Sequence, residues 1–429
     1  ASPPPGARPM PKSAPEIRVT PEAEKIPLRV QGTVYASGLF ANSMNNMMNV
    51  VVPLWIVTIE PSPLMIGIAI GARSFMPLCL SIHGGAMMDR VGTRRVVVFF
   101  AVIAMVTAPL YPLMPWLIAV IILQMLNGLS TTMGWVGAQT LVGQVMRGSA
   151  THAGRLSSII RIGNVGGPPL IGFIWDWLGP WGAFTLLALP GIAMLASAMA
   201  LPEPMDGQSD GRQDKHPAPG RGRLRLRHLI PNPRDYIDAF RLLLIPTIAF
   251  VVMVAVVRIS GHGIRTSFYV IYLGEIGFSA TLIGILMSVH GLIGIGGALL
   301  AGPIARMGHM PLLLVITVVL SIIFIAITPL LGTFTLLFVV SALRGGTMGL
   351  SQPLMISIMS QSAGRTAQGR AVGLRTTTNR LASVLIPIAM GAVIEVTGIE
   401  NGFLIIGGIL LALCLLLIPA ALRAEKPDG

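Results

Sequence analysis

The sequence predicts an all-α polytopic membrane protein of about twelve transmembrane helices, arranged as two parallel six-helix repeats. Three observations carry that expectation. Apolar runs long enough to cross a bilayer recur along the chain, lysine and arginine keep to alternate loops, and short signatures in the first half return in the second.

Composition sets the class first. Of the 429 residues 53% are hydrophobic and only 11% charged, and the mean hydropathy is +0.76. Soluble domains carry roughly a quarter charged residues. The net charge of +13 does not indicate nucleic acid, because the basic residues are scattered between apolar runs and form no single face. Cys79 and Cys414 each stand alone in an apolar run, which excludes a disulfide framework or metal spacing. No nucleophile, metal cluster or phosphate loop stands out, so neither an enzyme nor a cofactor is expected.

Residues 1–30 are proline-rich and lack the apolar core of a cleavable signal peptide; they read as a disordered cytoplasmic tail. A first bundle, residues 31–201, holds spans at roughly 33–59, 62–86, 95–114, 116–146, 153–177 and 182–201. Residues 202–241 form a polar linker with the basic run 221–228, read as a flexible cytoplasmic tether, with anionic lipid or a regulatory partner as the alternative. A second bundle, residues 242–423, holds spans at roughly 243–273, 280–304, 311–331, 333–360, 368–397 and 402–422, before a short tail at 424–429. Turns such as Glu60-Pro61-Ser62 and Leu178-Gly179-Pro180 separate spans.

Loops on the side of the termini hold Arg90, Arg94, Arg95, Arg147, Arg155, Arg306, Arg365 and Arg370, whereas Glu60, Glu275 and Glu400 lie in opposite loops that lack lysine and arginine. The positive-inside rule then puts both termini in the cytoplasm. The repeats appear at a shift of about 217 residues: Ser62-Pro-Leu-Met-Ile-Gly-Ile68 opens span 2 and Ser279-Ala-Thr-Leu-Ile-Gly-Ile285 opens span 8. Likewise a segment from Gly172 to Gly179 ends span 5, and one from Gly391 to Gly398 ends span 11. Six helices per repeat preserve orientation, so the repeats are parallel.

The run Gly85-Ala-Met-Met-Asp89-Arg90-Val-Gly92-Thr-Arg94-Arg95 resembles the loop motif between helices 2 and 3 of the major facilitator superfamily. That resemblance implies the fold of these transporters over the whole hydrophobic chain, and a gating role for Gly85, Asp89, Arg90, Gly92 and Arg94, with Asp89 steadying the outward-open state. Ala305 replaces the aspartate in the second half, so only the first copy is expected to act as a latch. In span 5, Gly163, Gly167, Pro168 and Gly172 are similar to the family's glycine-proline motif, common among exporters; close packing is the plain alternative. Gln124 stands where the family's helix 4 arginine is expected, which weakens any mechanism built on that arginine.

Seven arginines fall within spans: Arg73, Arg161, Arg258, Arg265, Arg344, Arg375 and Arg380. Each would cost about 2.5–3.5 kcal/mol facing lipid at mid-bilayer, so they must face the interior, water or the membrane surface. Spans 3, 6, 9 and 12 hold none, and in the resembled family those four are the outer supports. Asn42, Asn45, Asn46 and Asn49 share a helical face in span 1, as do Arg258, His262 and Arg265 in span 7; His290 lies near the centre of span 8. These residues with Arg73, Arg344 and Arg380 are the candidate substrate contacts, while Arg161 and Arg375, nearer the cytoplasmic ends, are candidate gates. Packing bonds are the alternative for the asparagines, backbone carbonyls for the arginines, and a structural donor role for either histidine.

No aspartate or glutamate lies near mid-membrane. Unpaired guanidiniums invite an anion, which they grip through paired hydrogen bonds. The sequence therefore points to alternating-access transport of a small anionic or amphipathic organic solute. The expected protein is a monomer in a bacterial cytoplasmic (inner) membrane, with proton cotransport through His262 or His290, or anion exchange, as the driving reaction. A proton-coupled multidrug exporter and a transport-inactive receptor or assembly subunit are the rival readings.

Overall fold

The protein is described from a computed structural model covering residues 26–146, 150–201, 242–306 and 309–423, apart from the side chains of 81–86, 89–90, 150–151, 153, 242, 360–361 and 363–373. Residues 1–25 of the predicted tail, the linker 202–241 and the side chains of Asp89 and Arg90 thus lie outside the described residues, as does Gly85 beyond its backbone, whereas Leu28, Arg29 and Val30, read as the end of the tail, already belong to the first helix.

The described residues are helical, with no strands among them. In the first half α1 spans Leu28–Ile59, α2 Pro63–Val91, α3 Thr93–Leu113, α4 Leu117–Val145, α5 Ala150–Leu186 and α6 Ala188–Met199. In the second half α7 spans Pro246–Arg265, α8 Phe268–Glu275, α9 Ala280–Ala305, α10 Met310–Ala326, α11 Phe334–Thr397 and α12 Ile399–Arg423. Two boundaries have plain local causes. The Ser62 and Ser279 hydroxyls cap α2 and α9 by accepting from Met65 N and Leu282 N. Gly92 ends α2 at φ +100° and Gly179 interrupts α5 at φ +67°, left-handed conformations that a β-carbon disfavours.

By length and composition nine helical stretches among the described residues can cross a membrane. The first predicted span is not among them, and its helix α1 carries four asparagines. The ninth falls on α10, a 17-residue apolar helix. Lipid-facing positions are apolar: Ile118, Trp177, Leu299 and Leu416 are each more than 70% exposed. The spans are therefore inside-out by soluble standards, as a bilayer solvent requires.

Two differences from the expected layout follow from the backbone. Span 7 breaks after Arg265, where Thr266 and Ser267 leave helical geometry and α8 restarts. Spans 10 and 11, expected to be joined by a cytoplasmic loop, form one helical stretch of 64 residues. Straight, it would measure about 96 Å. Yet Phe334 contacts Phe278, and Glu395 near the other end bonds Ser62, and both partners belong to the same rim of the bundle. The stretch doubles back.

The halves meet along two seams. In one, Gly67, Gly71 and Gly391 let α2 and α11 approach backbone to backbone; a β-carbon on Gly67 would stand 2.2 Å from the Pro387 oxygen. In the other, a β-carbon on Gly172 would stand 2.2 Å from the Ala280 oxygen, and one on Gly284 2.3 Å from the Pro168 oxygen, so α5 and α9 touch as closely. These seams run beneath the rim that carries Glu60, Asp176, Glu275, Glu395 and Glu400.

Candidate functional site

A central cavity lies between the halves, with about 830 Å³ of empty space including its open mouth. Its lining comes from α1, α2 and α4 on one side and from α7 and α11 on the other, and from none of the helices that carry spans 3, 6, 9 and 12. Arg73 projects from the middle of α2. Its Nη1 donates to Asn49 Oδ1 at 3.1 Å and its Nη2 to Asn45 Oδ1 at 3.0 Å. The α2 backbone is held at this level because Gly128 of α4 has no β-carbon; one there would stand 1.9 Å from the Arg73 oxygen. Arg380, Ser383 and Pro387 face the cavity from α11, and His262, Gly263 and Thr266 from α7. The lining thus holds two guanidiniums and an imidazole, and no carboxylate.

Each of the two polar faces serves two neighbours. Asn45 and Asn49 turn to Arg73, whereas the Asn42 and Asn46 Nδ2 groups both donate to Asn164 Oδ1 of α5, Asn46 at 2.8 Å. Positions three apart on a helix differ by about 60° in azimuth, enough to split a polar stripe between two helices. Asn42 and Asn46 therefore pack, and they do not line the cavity.

In α7, His262 reaches the cavity edge, while Arg258 and Arg265 turn into the second half. Arg258 Nε donates to Ser351 Oγ at 2.8 Å, and Arg265 Nη2 to the Met287 oxygen at 2.8 Å. Arg344 is 2% exposed and donates from Nε to the Ser321 oxygen and from Nη2 to the Gly261 oxygen. For these three arginines the interior demanded by lipid is the packed seam of one half, bonded to backbone or hydroxyl oxygens. His290 likewise lies away from the central cavity, in the second half.

Of the candidate gates, Arg94 Nη2 donates to the Met199 oxygen at 2.7 Å and so ties the start of α3 to the end of α6. Arg161 and Arg375 are half-buried, and Arg375 Nε has no partner. In the glycine-proline segment, a β-carbon on Gly163 would stand 2.0 Å from Ser43 Oγ and one on Gly167 3.2 Å from Met47 Cγ, so one edge packs on α1 while Pro168 and Gly172 pack on α9.

Two further features bear on the site: Gln124, noted in the sequence only as standing in place of an arginine, and two carboxylates to which the sequence assigned no role. Gln124 lines the cavity and accepts from the Tyr111 hydroxyl at 3.1 Å, a polar contact where the arginine is absent. Asp176 and Glu395 form a matched pair of clamps across the seams. Asp176, near the end of span 5, accepts from Ala280 N and Thr281 N at 2.8 Å each and from Thr281 Oγ1 at 2.5 Å. Glu395, near the end of span 11, accepts from Leu64 N at 3.0 Å and Ser62 Oγ at 2.9 Å. Each carboxylate caps the helix opening in the opposite half, where the unpaired N–H groups and the helix dipole favour a negative charge. The repeat alignment held the signal: Asp176 and Glu395 occupy equivalent segments, as do Ser62 and Ser279.

Apolar helices packed as two halves, joined by cross-capping carboxylates around a polar cavity, are an arrangement suited to a polytopic transporter. The sequence profile of the Major Facilitator Superfamily matches residues 34–385 and again 266–429. The chain belongs to that superfamily, whose members are transporters and not enzymes. No curated protein matches it in sequence.

Among solved structures the chain is similar to a mutant of the nucleoside transporter NupG, with a TM-score of 0.73 at 14% identity, covering 92% of this chain and 100% of that one. It is similar to a POT family transporter in complex with a thioalcohol-conjugated peptide, with a TM-score of 0.72 at 14% identity over 93% and 97% of the two chains. It is also similar to a bacterial homolog of the human lysosomal transporter Spinster in its inward-facing, unoccupied conformation, with a TM-score of 0.67 at 15% identity over 94% and 99%. At these identities the likeness is one of fold.

Proposed function

We propose that this protein moves a small anionic or amphipathic organic solute across a membrane by alternating access, through the cavity that holds Arg73 and Arg380. The observation that carries the reading is the lining itself: two guanidiniums, one imidazole and four amide or hydroxyl side chains in addition to Asn45 and Asn49 converge there, with no carboxylate. An anion completes that set, because a guanidinium holds a carboxylate, sulfonate or phosphate through paired charge-assisted bonds. Asn45 and Asn49 fix the Arg73 fork in advance and so lower the ordering cost on binding. A cavity of this kind suits an anion better than a lipophilic cation, which disfavours the multidrug-exporter reading.

The chain is read as twelve spans with both termini in the cytoplasm, the acidic rim outside, and the halves clamped at that rim by Asp176 and Glu395. A bacterial cytoplasmic membrane, a monomeric state, and coupling to a proton through His262 or to a counter-anion complete the proposal. The test is flux: reconstituted vesicles are assayed for accumulation of organic anions that first raise the thermal unfolding midpoint of the detergent-solubilised protein. Uptake that saturates and is competed by unlabelled anion is expected. Tight binding with no flux would give the receptor reading instead.

A further inference from the structure

A second cavity lies wholly inside the C-terminal half, lined by Arg265 and Tyr269 from the α7–α8 segment, His290 from α9, Thr328, and Ser341 and Arg344 from α11. It has room for one small body. Arg265 and Arg344 are 8% and 2% exposed and both face it. Their described bonds go to neutral carbonyls: Arg265 to Met287, Arg344 to Ser321 and Gly261. Among the described residues Arg344 Nη1 has no hydrogen-bond partner, and neither has His290 Nδ1. No carboxylate lines the space.

Two buried cations facing one cavity repel each other, and a guanidinium nitrogen without an acceptor has lost its hydration without replacement. Polar cavities of this size are filled in folded proteins, and here the surplus is of positive charge and of donors. Tyr269 and Ser341 share one hydroxyl–hydroxyl bond at 3.0 Å, so one of the two protons is left to donate. The space takes one small body, which favours a monatomic ion over a tetrahedral oxyanion.

We propose that this cavity is a binding site for a single halide ion, chloride by abundance, held by Arg344, Arg265 and the Tyr269–Ser341 hydroxyl pair. It is a site distinct from the central cavity and independent of what that cavity carries. The ion offsets one of the two positive charges on the arginine pair that joins α7, α9, α10 and α11, so the second half is firmest when it is loaded.

The test uses the full chain in detergent. The thermal unfolding midpoint is followed while sodium gluconate is exchanged for sodium chloride or bromide at constant ionic strength, and crystals grown with bromide are examined for anomalous scattering. The expected result is a saturable rise of several degrees with either halide and a bromide peak beside Arg344 Nη1. Ser341→Ala, a mild change, should shift the halide dependence several-fold to higher concentration. Arg344→Gln should abolish that dependence if it folds. An unfolding midpoint equal in gluconate and chloride, with water density and no bromide peak, would overturn the site. Organic-anion binding, measured in parallel, should be unchanged in Ser341→Ala, so failure here is distinguishable from failure of the transport reading.

Discussion

Replacing Asp176 and Glu395 by alanine should open the acidic rim. In the closed state Asp176 accepts three hydrogen bonds at the start of α9, and Glu395 accepts two at the start of α2. Once the halves part, both carboxylates are hydrated, so these bonds count only toward the closed state. Loss of a helix-capping side chain costs about 1 kcal/mol, and several of the bonds are solvent-exposed, which argues against a larger value. Each single variant should then shift the closed-to-open equilibrium roughly fivefold, and the double variant roughly thirtyfold, because the clamps sit on different helix pairs. The readout is a cysteine at Ser383, which lines the cavity, in a background with Cys79 and Cys414 replaced. A membrane-impermeant maleimide applied from outside should label it faster in that order. Equal labelling of the double variant and its parent would refute the clamp reasoning.

Gly172→Ala should favour the open rim through a different contact, since its β-carbon would stand 2.2 Å from a backbone oxygen that cannot swing aside; the same labelling assay should show acceleration, on the order of 1–3 kcal/mol of overpacking. Arg344→Gln should lower the unfolding midpoint by several degrees while organic-anion affinity stays within about twofold, because Arg344 is bonded inside one half. Cysteines at Ser62, Gly179 and Asn401 should label from outside in intact cells, whereas those at Gly92, Gln213 and Thr366 should not; outside labelling of Gln213 would reverse the orientation.

The sequence was a good guide where lipid forces a single answer. Apolar runs of about twenty residues have no alternative to helix, and the predicted spans fall on helical stretches because backbone groups in hydrocarbon must bond internally. It was a poorer guide to which interior a polar residue faces. Arg73 and Arg344 carry the same cost in lipid and look alike in sequence, yet one enters the cavity between the halves and the other a seam within one half. The asparagines of α1 show the same limit, since a stripe about 100° wide served two neighbouring helices. Asp176 and Glu395 are legible in sequence as outer-side carboxylates but not as clamps, because their partners are mainly backbone N–H groups, which have no residue signature beyond the capping serines.

Central to the account is the claim that Arg73 and Arg380 receive a negative charge. Its most direct test is the affinity of one organic anion and its uncharged isostere for wild-type protein, Arg73→Gln and Arg380→Gln, the anion being whichever gives the largest thermal stabilisation. Truncating a charge-assisted contact in a desolvated site costs about 2–5 kcal/mol, and each 1.4 kcal/mol is roughly tenfold in affinity. The account predicts at least a twentyfold loss for the anion in either variant (about 2 kcal/mol on that scale), only partial recovery in Arg73→Lys, and a much smaller change for the isostere. Equal binding of anion and isostere to wild type, or normal anion binding by both glutamine variants, would contradict it.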